Sequence, residues 1–121
     1  LNAPFMLTRA MMPLLRAAET ASVVCVSSSV GRTGRAYWGP YAVSKFALEG
    51  FMQVIADEQD GTSKIRVNSL NPGATRTAMR AEAYPSEEPT KLPEPKEIMP
   101  AFLYLLGEDS LTVNGQAIDA Q

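Results

Sequence analysis

The stretch VVCVSSS at residues 23–29 decides the fold. Its first four residues form a run rich in β-branched side chains, which predicts a strand buried on both faces, and the serines end it. A second such run extends from Ile65 to Leu70 and stops at NPG, residues 71–73, which cannot continue a strand. One helical pattern lies between the two runs. Strand, helix and strand in this order predict a right-handed crossover and a parallel sheet, so the fold class is α/β.

Apolar residues at spacings of three and four predict the helices around these strands. The predicted ranges are Pro4 to Ala18, Tyr41 to about Gln59, and Ile98 to Leu106, the last ended by Gly107 and kinked or delayed at its start by Pro100. A tight turn at Asn114-Gly115 and a short strand from Gln116 to Asp119 follow.

Two segments have no apolar period. Residues 30–40 carry three glycines and a proline, which indicates a loop leaving the carboxyl end of the first strand. From Thr77 to Lys96, prolines alternate with glutamates, and we predict a mobile excursion or lid there. The alternative is a disordered surface insertion.

Composition excludes several classes of function. The chain has 121 residues, a net charge of −2 and no basic stretch, so a nucleic-acid binder is not expected. It has one cysteine and no histidine, which excludes within these residues a disulfide framework, a Cys/His metal site and a His-based triad. We expect no metal and a reducing, cytoplasmic setting. The longest apolar run, residues 101–106, is far shorter than the roughly 20 residues that cross a bilayer.

Residues that can carry chemistry follow the carboxyl ends of the predicted strands, where ligands of parallel sheets bind. Ser28 follows the first strand, and Tyr41 and Lys45 lie at i and i+4 on one face of the next helix. An ammonium within about 4–6 Å stabilises a phenolate, so Lys45 can prepare Tyr41 to exchange a proton, while Ser28 binds a carbonyl oxygen. This is carbonyl–alcohol redox chemistry, and it requires a hydride carrier that no side chain supplies.

Three motifs, VSSSVG at 26–31, YAVSK at 41–45 and NPGATRT at 71–77, resemble those of the short-chain dehydrogenases/reductases. The resemblance covers essentially the whole chain in the right order. More narrowly, SSVGR at 28–32, WG at 38–39, SKFA at 44–47 and TRTAMR at 75–80 are similar to the YciK-type oxidoreductases of that family.

The resemblance implies a Rossmann-like doubly wound parallel sheet and an oxidoreductase that uses NAD or NADP on a small-molecule carbonyl or alcohol. It implies that Tyr41 is the catalytic acid/base, that Lys45 stabilises the phenolate and binds the nicotinamide ribose, and that Ser28 orients the substrate. The residues expected to line the nicotinamide end of the cofactor, in addition to Tyr41 and Lys45, are Pro72, Gly73, Thr75 and Thr77. A homodimer or homotetramer is expected as well, with the two long helices at a subunit interface.

Two features of the family are missing from these residues. There is no glycine-rich loop for the cofactor pyrophosphate, and by register the catalytic asparagine falls just upstream of Leu1, so Asn2 is not assigned to it. We therefore expect residues 1–121 to be the C-terminal catalytic half, about three strands, of a domain roughly twice as long. The alternative is a truncated, non-catalytic fragment that acts only as a subunit-association module.

Several residues have alternative interpretations. Tyr37 and Trp38 form a substrate wall or simply pack, and Arg32 with Arg35 would serve an anion-binding module under a third, minor reading. Arg32, Arg76 and Arg80 are otherwise expected on the solvated surface. Cys25 is expected in the core, and Gly50, inside a helix, is expected to pack closely against another element.

Overall fold

Three parallel strands and four α-helices make up the chain, and the computed structural model describes all of residues 1–121. In chain order they are α1 (Asn2–Ala17), β1 (Ala21–Val26), α2 (Gly39–Gln59), β2 (Ile65–Asn71), α3 (Ala78–Ala83), α4 (Pro95–Leu106) and β3 (Ala117–Asp119). The sheet order is β1-β2-β3, and both strand pairs are parallel. The α/β class, with three parallel strands, is confirmed.

Helix α2 crosses over from β1 to β2 and covers one face of the sheet. Its buried residues Leu48, Met52 and Ala56 pack against Ile65 and Val67 of β2. Burying one large apolar side chain stabilises a fold by about 1.5–3 kcal/mol, so this contact supplies the main apolar core. It also fixes the start of α2 near the carboxyl ends of the strands.

Cys25 lies in the same cluster and is a core residue, as predicted. Burial, with a smaller contribution from the nearby Glu49 carboxylate, raises the pKa of its thiol to about 11. A thiol in that condition is a poor nucleophile at neutral pH.

Helix α4 starts earlier than predicted. A capping box between Glu94 and Glu97 begins it at Pro95, so Pro100 lies inside the helix and does not delay its start. The helix ends at Leu106, as expected, but Gly107 has φ −87° and is not in the left-handed region. Glycine is needed there for space, because an added Cβ would lie 2.8 Å from the carbonyl oxygen of Leu103.

Arg66 of β2 fastens the end of α4 to the sheet. Its guanidinium is buried and donates hydrogen bonds to the carbonyl oxygens of Leu105, Gly107 and Ser110, at 3.3, 3.2 and 2.7 Å. The last carbonyls of a helix have no partners within it, so a buried guanidinium is a favourable cap.

The segment from Thr77 to Lys96 contains secondary structure that the sequence analysis missed. Thr77 caps α3 by accepting a hydrogen bond from the Arg80 backbone N–H at 3.2 Å, and a short 3-10 turn follows at Pro89–Lys91. Arg76 donates to the carbonyl oxygens of Pro89, Thr90 and Leu92. The segment is therefore not a disordered insertion, because Arg76 fastens it from just outside and Arg80 pairs with Glu87 within it. That it moves as a lid stays a prediction.

Helix α1 packs Met12 and Leu15 against the core but leaves several other large apolar side chains exposed. None of its residues is buried, and the large exposed ones are Leu7, Leu14, Met6, Phe5 and Met11. Gly50 in α2 has open space around the position of a Cβ, so the prediction of close packing at Gly50 is wrong within this chain. No helix combines the length and the apolar character that crossing a membrane requires.

We predict that Gly107→Ala lowers the free energy of unfolding of the full-length polypeptide by about 1–3 kcal/mol, because the new methyl group meets a backbone oxygen that cannot move freely. Gly34→Ala is the matched control, since no heavy atom lies within 4 Å of its Cβ position. Urea unfolding measures both. Equal stability of the two variants would contradict the close approach at Gly107.

Candidate active site

A cavity of about 1010 Å³ opens at the edge of the sheet where β1 and β2 end. Its floor contains the residues that follow the strands, and its sides come from the start of α2, from α3 and from α4. Six of the predicted site residues line it: Ser28, Tyr41, Pro72, Gly73, Thr75 and Thr77. Residues separated by almost fifty positions in the chain therefore meet in one cavity.

Ser28 follows β1 in extended conformation and precedes a 3-10 turn, Ser29–Gly31. Its carbonyl oxygen accepts a hydrogen bond from the Gly31 N–H at 2.9 Å, but its side chain makes no capping bond. The hydroxyl is therefore free to bond a ligand in the cavity.

Tyr41 and Lys45 lie one turn apart near the start of α2, which begins at Gly39 with Pro40 in its first turn. The Lys45 Nζ is 5.7 Å from the centroid of the Tyr41 ring and donates a 2.7 Å hydrogen bond to the carbonyl oxygen of Val26. Lys45 does not line the cavity, but its hydrogen bond to Val26, which does line it, is exposed. Burial lowers the pKa of its ammonium.

The turn after β2 is held from two sides. The Asn71 side-chain oxygen accepts a hydrogen bond from the Gly73 N–H at 3.1 Å, and the Gln121 side-chain amide donates to the carbonyl oxygens of Pro72 and Ala74. Gly73 has φ +73°, a conformation that favours glycine. The turn thus presents its backbone to the cavity in a fixed form.

The two threonines beyond that turn are engaged within the protein. The Thr75 hydroxyl donates to the Gly73 carbonyl oxygen at 3.3 Å, and the Thr77 hydroxyl oxygen caps α3. A hydroxyl that already donates or accepts one bond keeps further hydrogen-bonding capacity for a ligand.

Trp38 packs and also lines the cavity. Its ring centroid lies 5.7 Å from that of Tyr41 and 6.2 Å from that of Tyr84. Tyr37 is fully exposed, has φ +69° and lines the cavity without such a stack. Trp38 therefore packs and both residues line the cavity, while their role as a substrate wall stays a prediction.

A sequence profile of the short chain dehydrogenase family matches residues 1–88. The chain belongs to the short-chain dehydrogenase family. It is 58% identical over 120 residues to the uncharacterized oxidoreductase YciK of Escherichia coli, covering 99% of this chain and 47% of that protein. Among solved structures, a short chain dehydrogenase from Shigella flexneri complexed with NADP superposes with a TM-score of 0.96 at 57% identity.

A short chain dehydrogenase from Escherichia coli CFT073 complexed with NADPH gives the same TM-score of 0.96 and the same 57% identity. Each of these two structures is matched over 100% of this chain and 50% of its own length. This short-chain dehydrogenase chain thus spans about half the length of the relatives it matches. The Rossmann-type architecture and the similarity to YciK, both expected from the motifs, are confirmed.

Sequence reasoning missed the apolar sides of the cavity. They come from α3 and α4 and from the residue after α3, and include Met79, Ala83, Tyr84, Ile98, Met99 and Phe102. The apolar period of Ile98 to Leu106 was visible, but it does not tell which side faces a ligand. No local signal predicted α3.

A polar network, buried at Glu49 and Ser69 and exposed at Asp119, reaches the cavity at Asn71. Glu49 of α2 accepts hydrogen bonds from the Ser69 hydroxyl at 2.6 Å and from Arg32 Nε at 3.2 Å. Arg32 also donates to Asp119 at 2.9 Å, and Asp119 accepts from the Asn71 side chain at 2.8 Å. Three elements and the turn after β2 are therefore joined in this short-chain dehydrogenase by one continuous chain of bonds.

The arginines expected on the solvated surface are all paired. Arg32 bridges Glu49 and Asp119, Arg76 pairs with Glu94, and Arg80 pairs with Glu87. All three side chains are partly exposed, so they lie at the surface as expected, and each guanidinium also bonds carboxylates or carbonyls within the fold. Each guanidinium nitrogen of Arg32 bonds within the fold and only Arg35 lines the cavity, which disfavours the anion-binding module that combined the two.

We predict that Glu49→Ala lowers the free energy of unfolding by about 2–3 kcal/mol, because it leaves the Ser69 hydroxyl and Arg32 without their acceptor. Glu58→Ala, on the exposed side of the same helix, is the control and should change stability by no more than about 0.5 kcal/mol. Denaturant unfolding compares the two variants. A loss of the same size in both would show that the buried network carries no special stability.

Proposed function

We propose that this chain is the C-terminal catalytic half of an NAD(P)-dependent oxidoreductase that transfers a hydride between the nicotinamide and a carbonyl or alcohol substrate. The observation that carries the proposal is the shared cavity, which brings the Ser28 hydroxyl and the Tyr41 ring together above the turn after β2, with the Lys45 ammonium behind the ring. The relatives solved with NADP and NADPH support the choice of cofactor.

The cavity has features that fit such a cofactor. Ser27 lines it, and the Ser27 hydroxyl is buried without a hydrogen-bond partner, which is unusual for a buried polar atom. The residues that would hold the nicotinamide end are Pro72, Gly73, Thr75 and Thr77, and Tyr41 with Lys45 would meet its ribose. When bound, the nicotinamide would supply or accept the hydride.

The protein side chains then handle the proton. In the direction of reduction, the Ser28 hydroxyl donates a hydrogen bond to the substrate carbonyl oxygen and Tyr41 gives its phenolic proton to that oxygen. In the direction of oxidation, Tyr41 takes the proton from the alcohol. The Lys45 ammonium, 5.7 Å from the ring centroid, favours the phenolate left after proton donation.

The Val26 carbonyl oxygen restrains Lys45 through their 2.7 Å hydrogen bond. Because Val26 is the last residue of β1, the position of the ammonium depends on the sheet. Both members of the proposed pair are thus restrained. The Tyr41 ring packs against Trp38, and Lys45 is hydrogen-bonded to the strand.

The exposed apolar surface of the chain supports a role in subunit association, in addition to the proposed catalytic role. The apolar side chains that α1 exposes are joined by exposed Val43, Phe46 and Val54 of α2. Exposed apolar patches of this kind mark protein–protein contacts. We propose that α1 and α2 pair with a second copy of the protein in a homodimer or homotetramer.

Tyr41→Phe should lower the turnover number of the full-length enzyme with NADPH and an aromatic aldehyde by roughly 10²–10⁴-fold, because the ring stays and only the proton donor is lost. Its affinity for NADPH should be nearly unchanged, as measured by fluorescence titration. Tyr104→Phe, a matched change on α4 outside the cavity, should leave both unchanged. Undiminished turnover in Tyr41→Phe would remove Tyr41 from the mechanism.

Leu7→Glu should shift the full-length protein toward monomers, because it places a charge in the exposed apolar surface of α1. Light scattering coupled to size-exclusion chromatography measures the mass of the particle. Leu111→Glu, at an exposed apolar residue beyond α4, serves as the control. An unchanged oligomer in Leu7→Glu would exclude this face from the interface.

A further inference from the structure

The charges around the cavity are unbalanced. Of its 23 lining residues 12 are hydrophobic, none is an aspartate or a glutamate, and the charged ones are Arg35 and Arg80. An apolar cavity with a few placed polar groups is typical of a small-molecule site, in which those groups set the orientation of the ligand. Whether each arginine is paired within the protein therefore affects which ligands the cavity can bind.

Arg80 forms an ion pair within the protein. Its Nε and Nη2 donate to the two oxygens of Glu87 at 2.7 and 2.8 Å, and its guanidinium lies 3.7 Å from the centroid of the Tyr84 ring. The hydrogen bond between them raises the pKa of Arg80 and lowers that of Glu87, as expected for a bidentate pair. Arg80 thus forms part of the cavity wall, and the Glu87 carboxylate offsets its charge and occupies two of its nitrogens.

Arg35 differs from the other three arginines near the site. Its side chain makes no ion pair and no hydrogen bond with the protein, whereas Arg32, Arg76 and Arg80 each pair with a carboxylate. It is exposed and lines the cavity, so its guanidinium is available at the cavity mouth.

The backbone next to Arg35 is held in a costly conformation. The Arg35 carbonyl oxygen accepts a hydrogen bond from the Trp38 N–H at 3.3 Å, and between them Tyr37 has φ +69°. A bulky residue in the left-handed region is strained, and such strain is found preferentially at ligand-binding segments. The Trp38 ring packs against the Tyr41 ring and so holds this turn in place. Arg35 and Tyr37 precede the proposed acid/base by only a few residues.

We propose that Arg35 binds an oxyanion of the substrate, a carboxylate or a phosphate, so that the substrate class is an apolar carbonyl compound with an anionic end. The apolar part lies against Met79, Met99 and Phe102, and the anion lies at the mouth beside Tyr37. A guanidinium matches the two oxygens of such a group with a pair of N–H donors. This inference rests on the proposed function, since it names the substrate of the same cavity.

The test compares matched aldehydes on the full-length enzyme: 4-carboxybenzaldehyde, 4-formylphenyl phosphate and the neutral methyl 4-formylbenzoate. Calorimetric titration gives the dissociation constants, and NADPH oxidation gives kcat/KM. We expect one or both anionic aldehydes to be preferred over the neutral ester by roughly fivefold, the size of one solvent-exposed ion pair. Which anion is preferred distinguishes a carboxylate substrate from a phosphate substrate.

Arg35→Gln should remove this preference and leave the neutral ester unaffected, while Arg35→Lys should keep part of it. Arg16→Gln, the same change at an exposed residue outside the cavity, should keep all of it. The proposal is overturned if the parent enzyme shows no preference, if Arg35→Gln retains it, or if Arg35→Gln weakens NADPH and spares the aldehydes. The last result would assign Arg35 to a cofactor phosphate.

Failure of the proposed function has a different signature. If the neutral ester is reduced and Tyr41→Phe abolishes its reduction, but Arg35→Gln changes nothing, the oxidoreductase assignment stands and only the anionic substrate class is lost. If the anions bind through Arg35 and no aldehyde is reduced, the anion site stands and the reaction is wrong.

Discussion

Six consecutive residue pairs hold β1 and β2 in parallel register, from Ala21 opposite Ile65 to Val26 opposite Leu70. Because the strands are parallel and end level with each other, whatever follows each of them emerges at the same edge of the sheet. Ser28 follows one strand, and the turn at Asn71-Pro72-Gly73 follows the other. The crossover helix α2 has to begin at this edge as well, which brings Tyr41 to the same place. A shift of the register between β1 and β2 would separate these groups, whatever contacts their side chains could make.

The sheet that sets this register is not apolar throughout. Asn68 and Ser69 of β2 are fully buried, and both are satisfied: the Asn68 amide donates to the Val113 carbonyl oxygen and accepts from the Gln116 N–H, while Ser69 donates to Glu49. Buried polar groups cost free energy unless they are paired, so their partners have to be in place in the folded state. The network ties the segment before β3 and helix α2 to the central strand, and apolar packing alone would not specify those positions so narrowly.

A comparison of α2 with α3 shows which parts of the structure can be predicted from the sequence. The β-branched runs of β1 and β2 and the apolar period of α2 are local patterns, and the predicted ranges agree with the structure to within a few residues. Six of the predicted site residues, all except Lys45, meet in one cavity because the parallel topology puts the strand ends together. Helix α3 has six residues in a proline-rich segment, and it depends on the Thr77 cap and on Arg80 and Glu87, which side-chain periodicity does not reveal. The bond between Arg32 and Asp119 spans 87 positions, so no local pattern could have shown that Arg32 is occupied and Arg35 is not.

The Arg32 bond to Asp119 also bears on the order of folding. Contacts between residues far apart in the chain form late, because the entropy of closing a long loop must be overcome first. Ser28, Tyr41 and Lys45 can come together once β1, α2 and β2 have formed, but Asn71 gains its Asp119 partner only after β3 has docked. The floor of the cavity therefore depends on the docking of β3 through the bond between Asn71 and Asp119, whereas the placement of Ser28, Tyr41 and Lys45 does not. The shortest strand of the sheet thus steadies the turn that faces the cavity, although it contributes no lining residue itself.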